Sequence, residues 1–526
     1  MPEELCAVPK RRRGYSLLRE VLIEYKYIQK ENANDGEKEQ IKMNEGKKIA
    51  LAEIEAKADL CCEVSDKVWE YAELSLQEFQ SAALYVKVLK ENGFEVEEGI
   101  HGIETAFLGK YGHGKPVIGI LAEFDALTGL SQVGCTAERK QLVEGGNGHG
   151  CGHNMLGAGS LAAAFGIKAY LEKTGNEGTV IFYGCPGEEG GASKAFMARE
   201  NAWAELDAAL TWHPGSTNEV STGTCVSCIQ TEYKFTGIAA HAAGSPHLGR
   251  SALDAVELMN IGVQFLREHM PETARIHYAI TDGGGISPNV VQPTAQVLYM
   301  VRAVQVKEAM ELQARVDKIA QAAAMMTETT VKQKFIDGTA NTVPNFTLEK
   351  VLYKNFEELG VPTYTDEEMA FAQSLVDTYE NPSHELPGKA AKKDPDVAEY
   401  VMKMTNNGTK PMNDFLVPEY HGLENGAGST DVGDVSWQTP TAQITTATFS
   451  ANAPGHSWQN VAIGCSSIGH KGLVHAGKVL AMTAIDLFEQ PETLAAAKAE
   501  FAKRAAVGYT CPVPADAVPT IAGTKF

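Results

Sequence analysis

Five short polar clusters in this chain carry the residue types that bind transition metals or move protons. They are Glu123 and Asp125 in AEFDAL, His149, Cys151 and His153 in GHGCGHN, Glu188 and Glu189 in CPGEEGG, His213 in TWHP, and His456 in NAPGHSW. Thiolate, imidazole and carboxylate together suit Zn²⁺, and Mn²⁺ or Co²⁺ where carboxylate dominates. Cys151-x-His153 offers two ligands from one loop, ahead of a helix-like stretch whose N-terminus favours a thiolate. Neighbouring carboxylates on a glycine-flanked loop can face different ways, so Glu188 and Glu189 can divide the work. One binds metal while the other serves as general base for the water that the metal activates. Taken singly, each cluster also has a bland reading as a structural Cys-x-His, a solvated Glu-Glu pair or a turn histidine. Their shared position beside apolar runs argues against five separate accidents.

The elements that must position these clusters are legible in the hydrophobic pattern. Residues 115–124, 179–185, 207–212 and 441–449 read as buried strands, and 156–173 as a helix stopped by Thr174-Gly175. This βαβ rhythm predicts a mostly parallel sheet covered on both faces. In such a sheet, sites form beyond the carboxyl ends of the strands, which is where the clusters fall. From about residue 225 to 337 the rhythm changes to βαββαβ: strands at 229–235, 275–281 and 295–303, and a helical block at 251–269. The expected fold is therefore α/β, a mostly parallel doubly wound sheet with an inserted smaller α+β domain. The expected division is an N-terminal extension at 1–48, a metal-binding catalytic domain at 49–224 and 338–526, and the insertion at 225–337. Residues 472–489 read as a long helix, and the Pro-, Gly-, Asn- and Lys-rich stretch 380–430 as loops.

Composition narrows the functional classes. The chain has 526 residues, 44% hydrophobic and 21% charged, which fits a globular protein of several domains. A net charge of −21 argues against general binding to nucleic acid or to an acidic membrane surface. No apolar stretch is long enough for a membrane helix, and no apolar segment follows the basic run Lys10–Arg13 as a secretory signal requires. Ten cysteines are too few for a disulfide scaffold, so a cytoplasmic setting is expected, with any special cysteine a ligand. Met43 opens a more ordinary amphipathic helix, and the residues before it read as an appendage.

Beyond these local readings, NGHGCGHNMLG, FYGCPGEEGG, ALTWHP, GIAAHAAGSPHLGRSALDAV, HYAITDGGGISPNVVQP and STDVGDVSW resemble a known family. It is the dinuclear-metal aminoacylase/carboxypeptidase family of amidohydrolases, and within it the p-aminobenzoyl-glutamate hydrolase branch. The resemblance runs from about Lys48 to the C-terminus. It implies that Cys151, His153, Glu189, His213 and His456 ligate one or two divalent metals per subunit, Zn or Mn, with Cys151 bridging. It makes Glu188 the catalytic base and Asp125 the group that orients an imidazole ligand. Glu123 stands where many relatives carry Asp, and His149 matches a position usually outside the ligand set. The insertion becomes a lid that also dimerises. His241 would reach a site, often the partner subunit's, and stabilise the tetrahedral oxyanion. Asn289 would bind substrate, and Arg302 is a candidate for the substrate carboxylate.

The activity so implied is hydrolysis of a C–N amide by metal-activated water, with p-aminobenzoyl-glutamate giving p-aminobenzoate and glutamate. The rival readings are a dipeptidase or N-acyl-amino-acid hydrolase with the same site, and a mainly structural subunit of a hetero-oligomeric hydrolase. The expected partners are a small amide bearing a carboxylate, and a second copy or a sister subunit, with no nucleic acid and no membrane. Other features read as structural: Cys225-x-x-Cys228, Cys61-Cys62, the Gly283–Gly285 turn, His470 and His475.

Overall fold

VIGILA and GTVIFYG contain no charged residue, and every position in both is buried. Strands apolar on both faces belong in the middle of a covered sheet. In the computed structural model, which describes residues 43–426, 428–522 and 524, they lie side by side and parallel. The chain divides into two units, 1–48 and 49–526. In the described part of the first, Lys48 pairs with Glu45 at 2.7 Å. The basic run Lys10–Arg13 lies outside the described residues.

Eleven strands form among the described residues of the second unit. They are β1 (Glu95–Glu98), β2 (Phe107–His113), β3 (Val117–Ala122), β4 (Gly178–Gly184), β5 (Ala208–Gly215), β6 (Glu219–Val220), β7 (Ser227–Thr236), β8 (Arg275–Asp282), β9 (Thr294–Ala303), β10 (Thr330–Thr339) and β11 (Thr441–Ala447). Seven make one sheet in the order β1-β2-β4-β3-β5-β11-β6. Its centre, β4-β3-β5-β11, is parallel. β1 and β2 on one side and β6 on the other run antiparallel to their neighbours.

Alternate residues of the central strands point to opposite faces, as a two-residue period requires. Ile118, Ile120, Val180, Phe182 and Leu210 pack under the helices His153–Thr174 and Ser467–Glu489. Val117, Leu121, Ile181 and Tyr183 pack on the other face, against Phe196 of the helix Ser193–Arg199 and against Trp203. Small residues let the first two helices approach closely. A Cβ on Gly477 would lie 2.7 Å from that of Ala162. The sheet is thus covered on both faces, as the apolar runs predict.

The remaining four strands form a separate antiparallel sheet, β10-β7-β9-β8. The helices Ala252–Leu266 and Val306–Met326 cover one face of it. Chain order here is the βαββαβ rhythm. β9 alternates strictly, with Val297, Tyr299 and Val301 buried under the helices and Met300 and Arg302 on the opposite face. That opposite face is the one turned to the cleft described below.

Two details differ from the sequence reading. The stretch 380–430 is not all loop, because Pro395–Met404 is helical. Asp394 caps it by accepting from the Asp396 N–H, and Pro395 occupies the first turn, where it costs no hydrogen bond. β5 continues through His213 to Gly215 instead of ending before it, since β11 pairs with it along that whole length. No helix among the described residues is long and apolar enough to cross a membrane.

Candidate metal and active site

β3 ends at Ala122, and the next residues turn into the site. Asp125 is buried and fully engaged. Its Oδ2 accepts from the Ser75 hydroxyl at 2.8 Å and the Glu189 N–H at 2.9 Å, and its Oδ1 accepts from His153 Nδ1 at 2.8 Å. Burial works against the Asp125 charge, but the His153 hydrogen bond and charge and the two other donors outweigh it, holding the carboxyl down at about 2. With Nδ1 committed to Asp125, His153 presents Nε2 to the cluster, the arrangement that fixes a ligating imidazole.

Cys151 and His153 flank Gly152, whose φ of 83° is open to glycine at little cost. This left-handed residue turns the chain into the His153–Thr174 helix and places both side chains toward one centre. His213, on β5, donates from Nδ1 to the Pro214 carbonyl at 2.7 Å, so its Nε2 is also the free atom, 3.5 Å from Cys151 Sγ. His456 follows β11 with φ of 50°, a strained value for a residue with a Cβ. Its Nε2 lies 3.5 Å from Glu189 Oε1.

Three groups of potential ligand atoms result, each with all members within 4.8 Å of one another: Cys151/His153/His213, Cys151/Glu189/His456 and Glu123/His153/Glu188. Cys151 belongs to two of them, the position a bridging thiolate needs. The residues present fit a divalent metal. His153 Nε2 and Glu189 Oε1 are buried without a hydrogen-bond partner, and such atoms normally have one. By themselves the protein groups also oppose one another's charge. Burial pushes the Cys151 thiol up to about 12. Burial, then the carboxylates of Glu123, Glu189 and Asp431, hold Glu188 well above the usual carboxylate range. A cation at the centre of such a cluster reverses that balance.

The cluster opens into a cleft of about 560 Å³. Its walls include Glu188, Glu189 and His213 from the large sheet, Gln230 and Arg302 from the smaller one, and Lys389 from the loop region. Arg302 donates to the Ser429 hydroxyl at 2.8 Å.

The structure therefore gathers Cys151, Glu189, His213, His456, Glu188 and Arg302 around one cleft, with His153 grouped beside Cys151 and His213 and held there by Asp125. It does not bring His241 or Asn289 there. Neither lines the cleft of its own chain, and they lie on two strand-like segments joined by the His241–Val290 bridge. His149 stands apart from the ligand groups, buried, with Nε2 donating to the Val68 carbonyl at 2.9 Å. Cys61 is core, His470 pairs with Asp66, and His475 donates to the Gly360 carbonyl.

Sequence reading missed a buried ion pair beside the site. Lys194 Nζ lies 2.7 Å from Glu123 Oε1 and 2.6 Å from Asp431 Oδ1, while Glu123 Oε2 is 3.4 Å from His153 Nε2. Lys194 thereby fixes Glu123 against the cluster. The nearest signal for it was the STDVGDVSW motif that contains Asp431, but nothing local links Asp431 to Lys194.

A cluster of thiolate, imidazole and carboxylate groups able to hold divalent metal, at the carboxyl ends of a parallel sheet, is the arrangement of a metal-dependent hydrolase. Residues 120–410 match Peptidase family M20/M25/M40, and the chain belongs to that family, whose members cleave amide bonds. It is 43% identical over 474 residues to a p-aminobenzoyl-glutamate hydrolase subunit of Escherichia coli (strain K12), covering 89% of this chain and 97% of that one. It is 28% identical to the Xaa-Arg dipeptidase of Mus musculus, over 65% of this chain and 78% of that one. Its fold is shared with a dinuclear metal binding peptidase of family M20 from Bacillus subtilis. There the TM-score is 0.50 and the identity 16%, over 83% of this chain and 99% of that one.

Proposed function

We propose that the chain hydrolyses the amide bond of an acylated glutamate, with p-aminobenzoyl-glutamate as substrate and p-aminobenzoate and glutamate as products. The E. coli relative carries that activity in its name. The observation that carries the reading within this chain is the charge of the cleft. Histidines aside, Arg302 and Lys389 are its two cationic side chains among the described residues, in a wall otherwise rich in carboxylates. A glutamyl group brings two carboxylates, one for each. A Xaa-Arg substrate would instead bring a cation.

Cys151, His153, His213, Glu189 and His456 would hold the metal, zinc or manganese. When bound, it polarises the amide carbonyl and makes water a stronger nucleophile. Glu188 takes the proton of the attacking water and delivers it to the leaving nitrogen. Asp125 keeps His153 in one tautomer, and Arg302 and Lys389 orient the substrate.

Rates over a panel of aryl-glutamates, dipeptides and N-acetyl-amino acids, measured on the isolated chain, test the reading. The highest kcat/KM is expected for p-aminobenzoyl-glutamate. A preference for dipeptides would replace the reading with a dipeptidase, and no turnover with metal bound would leave a structural subunit.

Lys389→Ala is expected to raise KM for p-aminobenzoyl-glutamate by roughly 10–100-fold with kcat nearly unchanged, the scale of a lost hydrogen bond between charged groups. The corresponding glutamine amide, lacking the side-chain carboxylate, should show a much smaller change. Equal effects on both substrates would remove Lys389 from carboxylate recognition.

The segment 225–337 serves as lid and dimerisation surface, and His241 works on the partner's site. The support is geometric. His241 is exposed and stands outside its own cleft, and its Nδ1 accepts from the Ala243 and Gly244 N–H groups at 3.2 and 3.0 Å. The ring proton is therefore on Nε2, the atom that can donate to an oxyanion elsewhere. Mixing the inactive variants Glu188→Gln and His241→Ala after dissociation should restore activity well above either parent, because mixed dimers regain one working site. No recovery with mixed dimers present would place the action of His241 within its own chain or nowhere. The partner is a second copy or a sister subunit, as the designation of the E. coli relative as a subunit allows.

A further inference from the structure

Cys135 lies in the loop 123–152, between β3 and the His153–Thr174 helix. Cys465 lies in the segment 448–466, between β11 and the Ser467–Glu489 helix. The fold brings them together across 330 positions of sequence. The Cys135 N–H donates to the Ala462 carbonyl at 2.8 Å, and the Cys135 thiol donates to the Cys465 carbonyl at 3.7 Å. A Cβ placed on Gly134 would lie 2.3 Å from Cys465 Sγ, so that sulfur rests directly on the backbone beside Cys135.

The surroundings distinguish this pair from the other cysteines. Cys135 is exposed and Cys465 half-buried. The adjoining Cys465 thiol draws the Cys135 thiol down to about 7 against the effect of burial, and is itself pushed up by the same interaction. His470, whose Nε2 sits 2.8 Å from Asp66 Oδ1, adds to that lowering. Among the described residues, Cys135 is the one thiol held below its ordinary value. Cys61, Cys62, Cys185, Cys225, Cys228 and Cys511 are all pushed up, chiefly by burial. Both sulfurs lie outside the ligand groups of the metal cluster, yet each sits on a segment that carries one of its members: Cys151 on the first, His456 on the second.

We propose that Cys135 and Cys465 form a reversible disulfide, a redox modification site that ties the segment carrying Cys151 to the segment carrying His456. The oxidant is a small-molecule disulfide of the glutathione class. The Cys135 thiolate attacks one of its sulfurs, forming a mixed disulfide and releasing one small thiolate. Cys465 gives up its proton to solvent, and its sulfur attacks Cys135 Sγ, which expels the second small thiolate. Two protein thiols are oxidised and one disulfide is reduced to two thiols, so no further electron acceptor is required. Exposure and thiolate character make Cys135 the attacking sulfur and Cys465 the resolving one.

The test equilibrates the full, metal-loaded chain in glutathione buffers from mostly reduced to mostly oxidised, then quenches with acid and an alkylating agent. Peptide mapping of the oxidised sample should give one linked peptide pair containing Cys135 and Cys465, reversed by dithiothreitol. Cys465→Ser should accumulate glutathione on Cys135, whereas Cys135→Ser should leave Cys465 unmodified. Both cysteines alkylated at the oxidising end, or linked peptides joining other cysteines, would overturn the proposal. The wild-type map decides this alone, so a poorly folding variant does not remove the test. Oxidised protein is further expected to lose metal to a chelator several-fold more slowly than reduced protein. Equal rates would overturn the connection to the metal centre.

Discussion

Glu188→Gln is expected to lower kcat by at least ~10²–10⁴-fold while the chain keeps its divalent metal. Glutamine preserves the size of the side chain and most of its packing, but it cannot take a proton from water. Two of the three ligand groups, Cys151/His153/His213 and Cys151/Glu189/His456, do not involve Glu188, whereas the third sets it beside Glu123 and His153. A base that also returns its proton to the leaving nitrogen serves twice in each turnover, so the loss should exceed that of a base used once. Steady-state kinetics with elemental analysis of the same preparation decide the matter. Retention of half the rate would exclude Glu188 as the base, and loss of metal would make it a ligand.

Cys151→Ser is expected to have the largest effect on metal content. Cys151 is shared by two ligand groups, so its removal opens both at once. A serine hydroxyl at neutral pH is a poor substitute for a thiolate. Changes to groups that merely support a ligand typically cost ~10–100-fold in affinity, and loss of a shared ligand should cost more. Equilibrium dialysis against a chelator series measures it, and an unchanged stoichiometry would remove Cys151 from the ligand set.

The parts of this molecule that could be read in advance are those where one residue's neighbours in sequence determine its surroundings. β3 and β4 were legible because unbroken apolar runs of that length have few alternatives to a buried strand. β9 was legible as one strand of the rhythm that changes near residue 225, and the ligand candidates from their placement after apolar runs. β1 and β2 were not, being short or half-exposed and mixed in polarity. The Glu123–Lys194–Asp431 arrangement was illegible for a different reason. Lys194 and Asp431 are 237 positions apart, and a lysine in an ordinary helix start gives no sign that it will be enclosed by carboxylates. Lys389 was hidden likewise, inside a loop-like stretch whose nearness to the cleft exists only in three dimensions. His241 and Asn289 were named from family likeness, and no local pattern says which chain's cleft they face.

The pairing of β5 with β11 also bears on how the protein is made. Thr441 is matched to Ala209, with more than two hundred residues of chain, including the whole four-stranded sheet, emerging in between. At ~5–20 residues per second, translation of that stretch lasts roughly 12–46 s. Throughout it, one edge of β5, apolar and buried in the finished protein, has no β11 to pair with. An open apolar edge is a template for pairing with another nascent chain. The same delay governs the metal centre, because His213 lies on β5 and His456 follows β11. Closing the last central pairing of the sheet and completing the ligand set therefore wait for the same stretch of chain, residues 441–456, to be made.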